Sequence, residues 1–93
     1  MHITILTLTI SLPGCRSLKE KRQRMGGLHE RLGRHPAIAV CESGHHDRHD
    51  ASEWTFVAVG PTSRAVASLC SEIEETCLQR VDGRVMEVTR ERL

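Results

Sequence analysis

Hydrophobic residues recur with a period of two in four segments of the chain, and this spacing is typical of β-strands. The segments are 2–12, 37–43, 53–59 and 84–92. One face of the first is formed by alternate aliphatic residues, namely Leu6, Leu8, Ile10 and Leu12. Ile3 and Ile5 fall in the opposite phase. Either the start of this strand is apolar on both faces or a bulge shifts its register.

Two other segments have helical spacing. The first begins at Ser17-Leu18-Lys19-Glu20, a capping box in which the Ser hydroxyl and the Glu carboxylate satisfy free amides. It runs to about Arg34 with an apolar stripe of Leu18, Met25, Leu28 and Leu32. Gly26-Gly27 interrupts it and permits either close packing or a bend. The second helix is capped by Thr62 or Ser63 and ends near Arg80, with a stripe of Val66, Leu69, Cys70, Ile73 and Cys77.

The resulting order, βαββαβ, predicts one α+β domain spanning residues 1–93. It fits a ferredoxin-like sandwich, with a four-stranded antiparallel sheet and two helices on one face. Right-handed crossovers favour the strand order 4-1-3-2. The other face of the sheet is left open, with Thr7, Thr9, Cys41 and part of the 54–56 stretch on it. Because such a face often pairs with a second copy, we expect a homodimer.

Composition places the protein among ordinary globular chains, at 39% hydrophobic and 27% charged residues. No apolar run is long enough to span a bilayer. The N-terminus lacks the cationic start of a signal peptide. The four cysteines form no C-x-x-C pair and match no zinc finger. These features favour a cytoplasmic protein with reduced thiols.

Charge is distributed unevenly along the chain. Residues 1–35 carry seven cations and two carboxylates, whereas residues 36–93 carry six cations and ten carboxylates. Five of the cations crowd the start of the first helix: Arg16, Lys19, Lys21, Arg22 and Arg24. A helix N-terminus with such a cluster favours an anion, and a phosphate backbone needs little more for weak, salt-sensitive binding. The alternatives are a solvated face, or pairing with Glu72, Glu74 and Glu75 of the second helix.

Imidazoles and carboxylates also cluster between the second and third strands, in the run His45-His46-Asp47-Arg48-His49-Asp50. Together with Cys41 and Glu42 just upstream, they are ligand types that zinc or nickel accepts. The candidate metal ligands are Cys41, His45, His46 and His49. The alternative interpretation is a polar hairpin loop whose histidines make it sensitive to pH.

No catalytic constellation is evident. Cys15 lies beside Arg16 at the helix start, where a thiolate is favoured, but no base for a cysteine nucleophile is identifiable. No P-loop, nucleotide fingerprint or Ser-His-Asp motif occurs. The chain contains no Asn, so an acylphosphatase-like mechanism, which uses a catalytic Asn, does not apply. We therefore expect neither an enzyme nor a cofactor.

The segment LPGCRSLKEKR, 12–22, resembles the YlxP-like proteins, a bacterial family of unestablished function. Cys41-Glu42, Gly44-His45-His46-Asp47 and Gly60 also match that pattern, so the resemblance spans essentially the whole chain. The matching positions are Ser17, Leu18, Lys19, Glu20, Lys21, Arg22, Glu42 and Asp47. At 48–51 the chain has Arg-His-Asp-Ala where the family usually has L-W-Q-R-A, and Trp54 is the aromatic that can substitute.

The resemblance implies a ferredoxin-like fold and a tendency to dimerise. It also implies a role that involves the ribosome or RNA. With the cationic cluster, it leads to the hypothesis of a cytoplasmic, non-enzymatic protein that binds ribosomal RNA or a ribosome-assembly factor. The alternative is a homodimer that binds a metal or small ligand through residues 41–50. Since the chain has one Trp, one Phe and no Tyr, any RNA binding should depend on the phosphate backbone.

Overall fold

The computed structural model describes all residues from 1 to 93 and contains four strands and three helices. Along the chain these are β1 (His2–Ser11), α1 (Leu18–Arg24), α2 (Leu28–Gly33), β2 (Ile38–Gly44), β3 (Ala51–Gly60), α3 (Ser63–Arg80) and β4 (Arg84–Arg92). The strands form one antiparallel sheet in the order β2-β3-β1-β4, with the helices on one face. The predicted α+β fold and strand order are confirmed.

Strand β1 is apolar on both faces. Leu6, Leu8 and Ile10 are fully buried beneath the helices, whereas Ile3 and Ile5 are half-buried on the opposite face. The strand pairs with β3 in unbroken register along its whole length. The one register shift along β1 occurs in its pairing with β4, between Thr9 and Ile10. Of the two alternatives raised by the sequence, the strand start is therefore apolar on both faces, and no bulge accounts for the positions of Ile3 and Ile5.

The predicted first helix is present as two shorter helices separated by a glycine pair. Gly26 and Gly27 adopt left-handed backbone conformations, with φ of +65° and +68°, which glycine reaches without steric cost. Gly26 also lies against the end of α3, where an added Cβ would sit 2.5 Å from the carbonyl oxygen of Arg80. The glycines thus provide both a bend and a close approach.

The core lies between the sheet and the helices. Trp54 and Phe56 both face the helices, where their rings stack 6.5 Å apart. Only Thr55 of that stretch belongs to the open face, because its register partners are Thr7 and Cys41. The prediction that Thr7, Thr9, Cys41 and part of the 54–56 stretch lie on the open face is therefore confirmed, and the part concerned is Thr55.

All four cysteines are free thiols, and Cys41 alone among them is exposed. Burial raises the pKa of the Cys77 thiol to about 12 and also raises that of Cys70. No helix of the protein combines the length and apolar character needed to cross a membrane.

Candidate functional site

The start of α1 is capped by the chain's own groups. The Ser17 hydroxyl accepts a hydrogen bond from the Glu20 amide at 3.0 Å, and the Glu20 carboxylate accepts one from the Arg16 amide at 2.5 Å. That backbone hydrogen bond is the main cause of the lowered pKa of Glu20. Because a carboxylate already occupies this helix start, an external anion would have to be held by side chains.

Lys21 belongs to the interior of the protein, since only 4% of its surface is exposed. Its ammonium group donates to the carbonyls of His45 at 2.9 Å and Arg48 at 2.7 Å, and lies 2.9 Å from the Glu42 carboxylate. These three acceptors match the three donors of an ammonium group. Lys21 therefore holds the β2–β3 loop against α1 and is withdrawn from the cationic surface.

Glu42, the partner of Lys21, is half-buried, with 24% of its side chain exposed. Its carboxylate also accepts a hydrogen bond from the buried Ser52 hydroxyl at 2.5 Å. Burial on its own would raise the pKa of Glu42, but the hydrogen bonds from Ser52 and Lys21 outweigh it, and the pKa falls below its ordinary value. Lys21 and Glu42 are both positions that carry the resemblance to YlxP-like proteins.

Arg24 is also engaged within the fold. Its guanidinium donates to the carbonyl of Asp82 at 2.8 Å and to that of Pro13 at 2.7 Å. The Asp82 carboxylate lies 3.5 Å away. This side chain therefore ties the end of α1 to the segments that follow β1 and α3.

The other three members of the predicted cluster, Arg16, Lys19 and Arg22, are exposed. None of them lies within 4.0 Å of a carboxylate in an ion pair, and no ion pair joins the cluster to α3. On α3, Glu74 pairs instead with Arg90 of β4. The pairing with α3 that the sequence left open is therefore absent, and the free cationic surface is narrower than predicted.

The four candidate metal ligands are not brought together. His46 Nε2 lies 2.8 Å from the Glu42 carbonyl oxygen, and His49 Nδ1 lies 2.7 Å from that of Cys15. His45 has a left-handed φ of 60° and uses its carbonyl to bind Lys21, whereas Cys41 belongs to the open sheet face. No three His, Cys, Asp or Glu side chains form a group that could hold a metal ion.

Cys15 is buried at 4% exposure, and its thiol donates to the Ser17 carbonyl at 3.5 Å. The nearby His49 ring contacts the backbone carbonyl of Cys15. The thiol therefore contacts the backbone at the start of α1, and the Cys15 carbonyl contacts the β2–β3 loop.

A groove of about 340 Å³ lies between the α1–α2 segment and strands β2 and β3. The indole of Trp54 forms part of its lining and is 7% exposed. Its Nε1 atom is buried without a hydrogen-bond partner. The sequence pattern alone does not predict this groove. A signal was present, because Lys21 falls at the helical spacing of Leu18 and Met25, and Glu42 alternates with Ile38 and Val40.

Comparison with known proteins gives a family and a fold. Residues 3–90 match the family described as "Protein of unknown function (DUF503)". No curated protein matches the sequence. A structural-genomics structure of protein YJCS superposes with a TM-score of 0.61 at 9% identity, covering 98% of each chain.

Two further structures share less with this chain. "Putative Chlorite dismutase TA0507" has a TM-score of 0.53 and 16% identity, covering 99% of this chain and 44% of that one. Protein At3g17210 from Arabidopsis thaliana has a TM-score of 0.46 and 13% identity, covering 98% and 92%. At 9% and 16% identity, the similarity to YJCS and TA0507 concerns the fold alone.

Proposed function

The chain belongs to the DUF503 family of proteins of unknown function, and we propose that it is a non-enzymatic cytoplasmic protein that binds the phosphate backbone of ribosomal RNA. Within that family, the motif at 12–22 supports assigning it to the YlxP-like proteins. The contact surface consists of Arg16, Lys19 and Arg22, which we call the α1 cationic surface. Lys21 and Arg24 support this surface from within the fold.

The observation that carries the proposal is the absence of internal partners for these cations. All three are exposed and form no ion pair, whereas the two cations withdrawn from the predicted cluster are fully engaged. Arg31 and Arg34 of the α2 region are likewise exposed and unpaired, and extend the positive charge beyond α1. Such a surface attracts a polyanion over distances of about 8–10 Å at physiological salt.

The binding depends on the phosphate backbone rather than on base stacking. Trp54 and Phe56, the only aromatic residues apart from histidines, are buried in the core and offer no exposed platform for bases. For about three neutralised phosphates on a single strand, the logarithm of the affinity should fall with the logarithm of salt concentration with a slope near −2.

Co-sedimentation with ribosomal subunits tests the proposal. The triple variant Arg16→Glu, Lys19→Glu, Arg22→Glu should lose sedimentation at low salt, because it replaces three attractive charges with three repulsive ones. The matched control reverses Arg64, Arg84 and Arg92, which are exposed on α3 and β4 and unpaired. Ribonuclease treatment should abolish the wild-type signal.

Retained sedimentation of the α1 triple variant would contradict the proposal. Loss of sedimentation only in the control variant would move the interface to the α3–β4 side. A wild-type signal that survives ribonuclease would indicate a protein partner, such as a ribosome-assembly factor, in place of RNA.

We also propose that the protein is a homodimer joined through the open sheet face. Half-buried aliphatic residues lie on the two central strands toward one end of that face, with Ile5 opposite Val57 and Ile3 opposite Val59. A four-stranded face of about 20 × 30 Å offers roughly 600 Å² per copy. This area approaches the roughly 800 Å² per partner of a standard interface.

Analytical ultracentrifugation distinguishes the two assembly states. The wild type should sediment as a dimer at micromolar concentration, and Ile5→Lys should convert it to a monomer by placing a charge in the interface. Leu78→Lys, on the exposed side of α3, is the control and should leave the dimer intact. A monomeric wild type, or a dimeric Ile5→Lys variant, would rule out this interface.

A further inference from the structure

A residue in the wall of the groove beside α1 carries an unsatisfied hydrogen-bond donor that is enclosed by the fold. The indole Nε1 of Trp54 is the only buried side-chain nitrogen or oxygen in the protein that lacks a partner. Trp54 itself is 93% buried and lies in the groove wall. Because buried indole N–H groups usually find a partner, an orphan of this kind points to an acceptor supplied from outside.

The groove is lined by apolar side chains, with polar and charged side chains at its margin. Leu18, Met25 and Leu28 line it together with the indole. The polar side chains at its margin are Lys21, Arg22, His29, Glu30, Glu42 and His46. A mixed lining of this kind is typical of sites for small organic ligands.

The charges of the lining favour a ligand that accepts hydrogen bonds. Lys21 and Glu42 satisfy each other, and Ser52 donates a further bond to Glu42. Arg22 is exposed and forms no ion pair, so its guanidinium is free to hold a carboxylate. Glu30 is the one carboxylate of the lining without a partner, and it is exposed to solvent.

We propose that this groove binds a small organic carboxylate with an apolar body. The body packs against Leu18, Met25 and Leu28, and the carboxylate lies toward Arg22 and takes the hydrogen bond that the Trp54 indole lacks. The exposed His29 ring lies 6.3 Å from the indole ring at an angle of 58°. Because the indole Nε1 is enclosed by the fold, its hydrogen bond to the ligand carboxylate requires the side chains around the indole to shift on binding.

This inference is independent of RNA binding, although Arg22 serves both. The ligand site requires Trp54, which plays no part in the α1 cationic surface. Conversely, RNA binding requires Lys19, which is absent from the groove lining. The Lys19→Glu variant should therefore weaken RNA binding and leave the ligand site intact, and Trp54→Phe should do the opposite.

The single tryptophan gives a specific readout, because a ¹⁵N–¹H spectrum contains one indole cross-peak. Phenylacetate is the probe, and phenethylamine is its match in shape with reversed charge. Phenylacetate should move the indole proton downfield in a saturable manner with a Kd of about 1 mM, as suits a fragment. Phenethylamine should produce no saturable shift.

Two variants locate the site. Arg22→Gln should weaken phenylacetate binding about fivefold, whereas Arg31→Gln, an exposed arginine outside the groove, should leave the affinity unchanged. In Trp54→Phe, saturation-transfer NMR should show loss of the bound probe. If Trp54→Phe does not fold, the comparison of the two arginine variants decides the matter.

The inference is overturned by an indole signal that does not respond to phenylacetate, by equal binding of the amine, or by equal effects of the two arginine variants.

Discussion

The two parts of the helix layer cover the same sheet in different ways. Beneath α3 the helix contributes only apolar side chains to the core, namely Val66, Cys70, Ile73 and Cys77. Beneath α1 it contains the Lys21–Glu42 ion pair, the Ser52 hydroxyl and an indole N–H without a partner. The outer surfaces differ too, since the α1 side presents Arg16, Lys19 and Arg22, whereas α3 carries three glutamates against two arginines.

This difference indicates a division of labour within one small domain. Apolar contact is the most economical way to stabilise a thin core, and α3 uses it from Val66 to Cys77. Buried charges and orphan donors give little net stability, so their presence at the α1 side calls for another explanation. We attribute it to function, with α3 stabilising the sheet and the α1 side carrying the proposed contacts.

The largest expected effect is on the α3 side. Ile73 is completely buried, so Ile73→Ala should lower the free energy of unfolding by about 4 kcal/mol through lost burial and a cavity. Leu78→Ala, at 68% exposure, should change it by less than about 0.5 kcal/mol. Urea unfolding measures both. A cost for Ile73→Ala below that of the α1-side variants would contradict the proposed division.

The second largest loss of stability is expected at the ion pair between buried Lys21 and half-buried Glu42. Lys21→Met should cost about 3 kcal/mol, because it strands the Glu42 carboxylate and releases the carbonyls of His45 and Arg48. Adding Glu42→Leu should recover part of that loss by removing the unpaired charge. A double variant no more stable than Lys21→Met alone would show that the carbonyl contacts, and not the charge pair, dominate.

The glycine pair allows a matched test of the bend between the two regions. Gly26→Ala should cost about 2 kcal/mol, since it strains a left-handed backbone and forces a Cβ against the Arg80 carbonyl. Gly27→Ala has the same strain but only a distant contact, 3.8 Å from Glu30, and should cost about 1 kcal/mol. Thermal unfolding of the two variants compares them. Equal costs would mean that the close approach to α3 is unimportant.

The smallest expected effect is on how stability depends on pH. The pKa of Glu42 lies below its ordinary value of 4.5 in the folded protein, so its contribution to stability is present above that value. The contribution is lost as pH falls through the folded pKa. Glu42→Gln should therefore show a shallower loss of stability between pH 5 and 3 than wild type, as measured by urea midpoints at each pH. Parallel curves would contradict this role.

The sequence correctly predicted most of the secondary-structure elements, whose positions depend on hydrophobic periodicity and helix capping. Ser17 and Thr62 cap their helices, and the α3 stripe is buried as its spacing predicted. The strand order followed from the handedness of crossovers. These features depend on local chemistry and short-range rules, which a single sequence displays.

The features that the sequence did not predict depend on contacts between residues far apart along the chain. The charge of Lys21 suggests a surface cation, but its position on the apolar stripe of α1 places it in the protein interior. Its burial requires Glu42 and two loop carbonyls, all more than 20 residues away. The orphan nitrogen of Trp54 was likewise invisible, since the absence of a partner is a property of the assembled fold.

The most direct test of the division between the two sides is a ¹⁵N–¹H titration of the protein with a ribosomal RNA fragment at low salt. The account predicts shifts concentrated between residues 16 and 34, with the amides of α3 unchanged. Shifts confined to α3 and β4, or none at all, would contradict it.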